Sequence, residues 1–376
     1  MEVLRRLRTR RVVLTPRPVR AVLTGLMFVA LASPSVRCGA QLPAGATAAA
    51  DTRWPVKSRE HVDLWLHAFA VISDDSARVP LFRRGYVDAM TVEKNKAGMV
   101  TDLDANREAL ARRLRANPAL VNAQFIALYF PSWVELEAAM DLFVKADGSA
   151  RTARSQQEAG VIAMLGGVFP AREDREFARR LLIALRSERD KFYHAWWLVE
   201  TRRRDATFEA VDTLWRRTYL PALQQFLNHT QQGNGEVILA LALDGEGRTV
   251  SGGKLHTSIA VGFPDSPSQA MDAIYAIAHE IVGSLTGAAV ADNTTPAEKR
   301  SGAAQRLSSV ALVRAGELLL AHLSKPLADG YARFYLQAAG VAIEGDAIAA
   351  FARAFPVPQG MLDSIERQIG IAFGGI

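Results

Sequence analysis

Apolar side chains recur at helical spacing along most of this 376-residue chain. In the first such stretch, Val62, Leu64, Leu66 and Phe69 lie in one run that ends at two aspartates, which predicts a helix. The chain is therefore expected to be mostly helical. The same pattern predicts helices over 104–116, 119–143 with a break at Pro131, 173–201, 207–228, 266–290, 303–323, 328–338, 345–354 and 360–370, with a loop over 145–157.

The pattern changes once, near the middle of the chain. Residues 237–243 (VILALAL) form a short continuous apolar run, and residues 255–263 (LHTSIAVGF) form a second one. The intervening Asp-Gly-Glu-Gly at 244–247 is typical of a turn, so the two runs predict a strand pair. The expected fold class is α+β, mostly helical with a small antiparallel sheet.

The helix predicted after these strands has an unusual composition. Ser266 suits the N-cap, Pro267 the first turn, and Gln269 completes a capping box. Apolar residues form one stripe and small residues occupy the opposite side, so the helix is expected to be buried. The stripe consists of Met271, Ile274, Ala278, Ile281 and Leu285, and the opposite side of Ala273, Ala276, Gly283 and Gly287.

Two ionisable residues, His279 and Glu280, lie inside this buried helix. Burying an acid and an imidazole is unfavourable unless they are hydrogen-bonded or bind a metal. Two interpretations follow from the residues alone: a structural hydrogen-bonded pair, or part of a metal site.

The order of a strand pair followed by a buried His-Glu helix is similar to that of zincin metallopeptidases. The stretch 278–285 (AHEIVGSL) resembles the active helix of secreted bacterial gluzincin-type peptidases, and Glu317 on a later apolar helix resembles their third zinc ligand. The resemblance covers 60–340 in outline. It implies a zincin-like fold, a zinc ion held by His279 and Glu317, and Glu280 as the general base that activates a metal-bound water.

The sequence departs from that motif at Gly283, where the second zinc-binding histidine is expected. Catalytic zinc sites normally have three protein ligands, so another side chain is needed. His256 on the preceding strand is the preferred substitute, and His322 and Asp292 are alternatives. The expected metal ligands are therefore His279, Glu317 and His256.

Two functions follow from this motif. One is a zinc-dependent peptidase acting on a peptide or protein substrate. The other is a pseudoenzyme, a non-catalytic envelope or binding protein that retains the metallopeptidase-like fold.

The charge of the chain is concentrated at its N-terminus. The formal net charge is +6, but residues 1–40 contain eight arginines and one acid, Glu2. The remainder has 37 basic and 38 acidic residues, so no nucleic-acid partner is expected.

The first forty residues are typical of an export signal. Arginines precede a short apolar run over 21–32, and small residues follow up to Ala40, where cleavage is expected. The segment 9–14 (TRRVVL) is also similar to a twin-arginine signal, so both export routes stay open. The sole cysteine, Cys38, would be lost on cleavage, and Arg37 before it does not fit a lipid-attachment box.

The expected product is an exported protein, periplasmic or extracellular, with no transmembrane segment in the mature chain. Four segments are predicted: a signal peptide over 1–40, a flexible linker over 41–56, a helical part over 57–230 and a zincin-like core over 231–376.

Overall fold

The computed structural model describes residues 53–73, 77–251 and 256–374. The predicted signal peptide and most of the predicted linker lie outside the described residues. Within them, helices surround one small sheet, as the α+β prediction required.

The helices follow one another along the chain with short connections. A 3-10 helix, Pro118–Tyr129, lies between α3 and α4, and π-helical turns lie between α6 and α7 (Arg189–Tyr193) and between α8 and α9 (Trp215–Tyr219). The helices are α1 (Glu60–Ile72), α2 (Tyr86–Ala97), α3 (Asp102–Ala116), α4 (Trp133–Lys145), α5 (Gln156–Val168), α6 (Arg172–Glu188), α7 (His194–Arg203), α8 (Asp205–Leu214), α9 (Leu220–His229), α10 (Ala270–Ile281), α11 (Gly283–Asp292), α12 (Pro296–Ser301), α13 (Ala303–Leu323), α14 (Lys325–Ala338), α15 (Ala347–Ala354) and α16 (Gln359–Ala372).

The described residues form one sheet with the strand order β1-β2-β4-β3. The strands are β1 (Val56–Lys57), β2 (Gly235–Ala240), β3 (Arg248–Ser251) and β4 (Thr257–Gly262). β1 and β4 both pair parallel to β2, and β3 pairs antiparallel to β4.

The predicted antiparallel sheet is therefore corrected to a mixed one. The two predicted strands pair parallel, in a register that joins Val237 to Ile259. The reason is β3, a short strand that the apolar pattern did not predict. It lies between the other two in the chain and forms the hairpin with β4, so β2 and β4 point the same way.

The sheet separates two hydrophobic cores. Along β2, Val237 and Leu239 belong to a core with α10, α13 and α14, called here the C-terminal core. Ile238 and Ala240 belong to the other core with α1, α3 and α6, called here the N-terminal core. Side chains alternate between the faces of a strand, so both faces of β2 are covered.

Two of the predicted segment boundaries do not coincide with this packing. Trp54, inside the predicted linker, is fully buried, and its indole Nε1–H donates to the Gln232 carbonyl at 2.8 Å. Helices α8 and α9 precede residue 231 but pack in the C-terminal core through Val211, Leu223 and Phe226. Burial of apolar residues, rather than the change from helix to strand, sets these boundaries.

The long helix predicted over 266–290 is also corrected. It starts with a short 3-10 turn and breaks at Val282 into α10 and α11. Three further helices, α2, α5 and α12, were not predicted. Helix α5 starts in the predicted loop, α2 has few apolar positions, and α12 has only 6 residues without an apolar stripe.

Within the described ranges no single helix has the length and apolar composition to span a membrane. The segments Pro267–Ile281 and Gly283–Asp292 meet those criteria only as a pair bent by 42°.

Candidate functional site

His279 and Glu280 lie in the last turn of α10, which packs against β4. The alanine and isoleucine side chains of α10 pack in the C-terminal core, so the His279–Glu280 pair lies inside the protein. The side chain of His279 is 3% exposed and that of Glu280 is 10% exposed, so both predicted site residues are largely removed from solvent.

Both oxygens of the Glu280 carboxylate accept hydrogen bonds. Oε1 accepts from the backbone N–H of Gly247 at 3.1 Å and from His279 Nδ1 at 3.0 Å. Oε2 accepts from the hydroxyl of Thr249 at 2.6 Å. Burial raises the pKa of Glu280, but the bond and charge of His279 and the Thr249 hydroxyl outweigh it and lower that pKa below its ordinary value. The carboxylate is therefore ionised and held by the segment that leads into β3.

Gly247 is required for this contact. A Cβ atom at this position would lie 2.6 Å from the Ala260 carbonyl oxygen and 2.7 Å from Glu280 Cγ. Real Cβ atoms do not approach other atoms so closely, so glycine lets the Glu280 side chain lie against the backbone.

The contact also fixes the role of His279 Nδ1. An ionised carboxylate only accepts hydrogen bonds, so Nδ1 carries a proton and donates it to Glu280. The ring stacks on Tyr335 at a centroid distance of 5.6 Å, and the Tyr335 hydroxyl donates to the Gly245 carbonyl at 2.9 Å. His279 Nε2 is buried and has no hydrogen-bond partner among the described residues.

Glu317 lies on α13 and has a different partner. Its Oε2 atom is 3.8 Å from Nε of Arg314, one helical turn earlier, and both side chains are at most 10% exposed. Burial raises the pKa of Glu317, and the charge of Arg314 only partly opposes that effect. Burial raises the pKa of Tyr331 well above its ordinary value, and the charges of Glu317 and Glu280 raise it further.

Two of the three candidate substitute ligands, His256 and His322, have other partners. His256 is 45% exposed, and its Nε2 lies 3.7 Å from Glu236, whose carboxylate also binds Lys57 and Arg59. His322 stacks on Phe373 at 4.3 Å. Asp292 is exposed at the end of α11.

The structure therefore brings Glu280 together with His279 but does not add a third ligand. Across 53–73, 77–251 and 256–374, no three His, Cys, Asp or Glu residues form a group that could hold a metal ion. Position 283, where the motif places the second histidine, is a glycine at the start of α11 and supplies no ligand. A buried imidazole nitrogen fits one zinc ligand, but the neighbouring residues do not fit the remaining positions.

A second polar cluster lies in the N-terminal core. His67 Nδ1 on α1 is hydrogen-bonded to the Tyr86 hydroxyl at 3.1 Å, and His67 Nε2 donates to Glu188 at 3.0 Å. Lys94 Nζ binds the other Glu188 oxygen at 2.8 Å, and Thr101 also donates to it. Burial raises the pKa of Glu188, but His67 and Lys94 outweigh it and lower that pKa to about 2.

The sequence patterns described above do not predict the partners of His67. The available signal was the polar pair Asp63 and His67, one turn apart in a helix that is otherwise apolar after His61. Glu188 is 121 residues away from His67, and helical spacing cannot predict that contact.

An open groove of about 430 Å³ lies elsewhere on the surface, between α9, α11 and α16. It is lined by His229, Thr230, Leu285, Gln368, Ile371, Ala372 and Gly374. Its volume is within the range of small-molecule sites, but His279, Glu280 and Glu317 do not line it.

No protein-family model matches the chain, and comparisons with curated proteins and with solved structures find no match.

Proposed function

We propose that this chain is an exported, non-catalytic binding or envelope protein in which His279 and Glu280 form a structural link. The observation that carries the proposal is the set of three hydrogen bonds to the Glu280 carboxylate. A general base of a metallopeptidase needs a carboxylate oxygen directed at a metal-bound water. In this chain both oxygens are directed at the segment 247–249 and at the neighbouring imidazole.

Export rests on the arrangement of the first forty residues, in which arginines, a short apolar run and small residues succeed one another. The near balance of charge after Ala40 agrees with a partner that is not a nucleic acid.

The second candidate is a zinc-dependent peptidase. One specific observation favours it: His279 Nε2 is buried and has no hydrogen-bond partner among the described residues, as expected for a nitrogen that binds a metal. The absence of a ligand group around it in the described ranges favours the non-catalytic proposal.

A hydrolysis assay separates the two candidates. The purified mature chain is incubated with an unfolded protein substrate and added zinc, beside the Glu280→Gln variant and a chelated sample. We expect the same background rate in all three. Zinc-dependent hydrolysis that the chelator and Glu280→Gln both abolish, with the variant still folded by circular dichroism, would contradict the proposal.

A further inference from the structure

Helix α7 has two contrasting faces. Its inner face is fixed to α1 by polar contacts. The indole Nε1–H of Trp197 donates to the Asp63 carboxylate at 2.9 Å, and Nδ1 of His194 is hydrogen-bonded to the Glu60 carboxylate at 2.9 Å. The helix is therefore held on the surface by its inner side chains, although none of its ten residues is buried.

The outer face of α7 is apolar in its middle. Ala195, Leu198, Val199 and Arg202 follow one another at the three- and four-residue spacing of a single helix face, and all four are exposed. Leu198 is 42% exposed and Val199 is 63% exposed. A surface helix normally carries polar side chains on its outward face, so this face departs from the usual pattern.

The connection between α2 and α3 places two more apolar side chains beside the same rod. Met99 and Val100 are exposed there, Val100 to 76%. Two residues later, the backbone N–H of Asp102 donates to the Ser187 hydroxyl at 3.1 Å, and the Asp102 carboxylate lies 3.7 Å from Nζ of Lys191. The connection therefore lies against the turns that precede α7.

Ile183 extends this apolar surface along α6, where it is exposed one turn before Ser187. Five of the ten large apolar side chains that are exposed among the described residues thus lie on or beside the continuous rod of α6, the π-helical turn and α7. Such clustering marks an interaction surface rather than isolated exposed side chains. The surface is called here the α7 strip and consists of Met99, Val100, Ile183, Leu198 and Val199.

The exposed charge on α7 is positive. Arg202 is exposed, and its guanidinium has no carboxylate partner in the part of the chain that the structure describes. Arg203 is 70% exposed. Glu200, the sole acid in the sequence of α7, is largely covered and pairs with Arg203 and Arg204. The α7 strip therefore ends beside positive charge that its own helix does not neutralise.

This composition matches that of surfaces that bind anionic membranes. In such surfaces apolar side chains enter the boundary between headgroups and acyl chains, and basic side chains contact the lipid phosphates. A bilayer accepts protruding apolar side chains without a matching pocket. An acidic polypeptide would neutralise the arginines but would not account for the apolar side chains further along the rod.

We propose that the α7 strip docks this protein on the surface of an anionic membrane. Docking is peripheral, because the apolar side chains reach only the headgroup boundary. It does not involve the His279–Glu280 pair, so a failure of docking would leave the structural role proposed for that pair unchanged.

Cosedimentation with vesicles tests the proposal. The chain from Gln41 is used, because the arginines and the apolar run of residues 1–40 would bind anionic vesicles by themselves. Both cores consist of residues within 53–374, so this chain retains them. We expect binding to vesicles of equal parts phosphatidylglycerol and phosphatidylcholine, and little binding to phosphatidylcholine alone. No binding to the anionic vesicles, or equal binding to both kinds, would overturn the proposal.

Variants locate the binding surface. The double variants Leu198→Gln, Val199→Gln and Arg202→Gln, Arg203→Gln should each weaken binding by about tenfold, since glutamine keeps the helix but removes apolar area or charge. The matched controls are Ile343→Gln, Ile371→Gln and Arg333→Gln, Arg353→Gln, which change exposed residues outside the strip and should bind like the wild type. Circular dichroism checks that all four are folded. Equal losses in test and control variants would contradict the assignment.

A fluorescent label reports the docked position directly. The chain from Gln41 has no cysteine, so one introduced cysteine can carry an environment-sensitive fluorophore. With anionic vesicles, the label on Val199→Cys should shift its emission to shorter wavelength, and the label on Ile371→Cys should not. No shift at position 199, or equal shifts at both positions, would overturn the docking surface even if the protein binds the vesicles.

Soluble polyglutamate separates the lipid from an acidic polypeptide. At the same concentration of negative charge as the vesicles, it should leave most of the protein bound to them, because it offers no apolar boundary for Leu198 and Val199. Complete displacement would show that an acidic polypeptide is the preferred occupant and would overturn the lipid assignment.

Discussion

Oε1 of Glu280 accepts a hydrogen bond from the backbone N–H of Gly247 at 3.1 Å, which ties the last turn of α10 to the segment before β3. Together with the Thr249 hydroxyl, this contact uses the carboxylate to join a buried helix to the edge of the sheet. The pair first singled out as a candidate active site therefore has a structural explanation.

Glu280→Ala should destabilise the protein by about 2–4 kcal/mol, because it leaves the Gly247 N–H and the His279 Nδ1–H without their acceptor. Urea unfolding at pH 7 measures this loss. Glu344→Ala is the matched control, since Glu344 is exposed and its removal should change stability by less than about 0.5 kcal/mol. Equal unfolding midpoints for the two variants would show that Glu280 does not stabilise the fold.

Gly247→Ala should be strongly destabilising, since the new Cβ would lie 2.6 Å from the Ala260 carbonyl and 2.7 Å from Glu280 Cγ. We expect a loss of about 2 kcal/mol or more from the displaced backbone and the weakened Glu280 contact. Gly287→Ala in α11 is the control, because nothing lies within 4 Å of its Cβ position and the change should stabilise the helix slightly. Thermal unfolding of both variants checks the contrast, and a Gly247→Ala protein as stable as the wild type would contradict it.

Glu188→Gln should destabilise the N-terminal core by about 3 kcal/mol at pH 7, since it removes the charge that His67 and Lys94 share. The pH dependence has a definite sign. The pKa of Glu188 is lowered from 4.5 to about 2, so its stabilisation is complete above pH 4.5 and declines as the pH falls towards 2.

The acid limb of the stability curve measures this effect. The wild type should lose stability more steeply than Glu188→Gln between those pH values. Glu344→Gln, which changes an exposed carboxylate, should leave the wild-type slope unchanged. If the wild type and Glu188→Gln lose stability with the same slope as the pH falls, Glu188 is not charged in the folded state.

The sequence predicted α10 well because its signals are local. Ser266, Pro267 and the apolar stripe around Ile274 lie within a few residues of one another, and the helix forms near the predicted position. The predicted capping box is wrong, because the Ser266 side chain makes no capping hydrogen bond to the backbone. The break at Val282 was not predicted, because glycine and other small residues occur inside helices as well as at their ends. Tertiary packing against α13 and α16 accompanies the bend.

Strand direction and the buried contacts depend on residues distant in the chain. The parallel pairing of β2 with β4 follows from the short strand Arg248–Ser251, whose polar composition gave no apolar run. The bond from Trp197 to Asp63 spans 134 residues, and the bond from His67 to Glu188 spans 121. Such contacts are determined by how the helices and strands pack together. The hydrophobic periodicity of the sequence gives no information about that packing.

Zinc content is the most direct test of the central claim that His279 and Glu280 form a structural link. The full chain, expressed with added zinc and dialysed, is analysed for metal beside a His279→Ala variant. We expect below about a tenth of an equivalent of zinc in both proteins, because the described residues do not supply three ligands. Close to one equivalent of zinc in the wild type, lost in His279→Ala, would contradict the account.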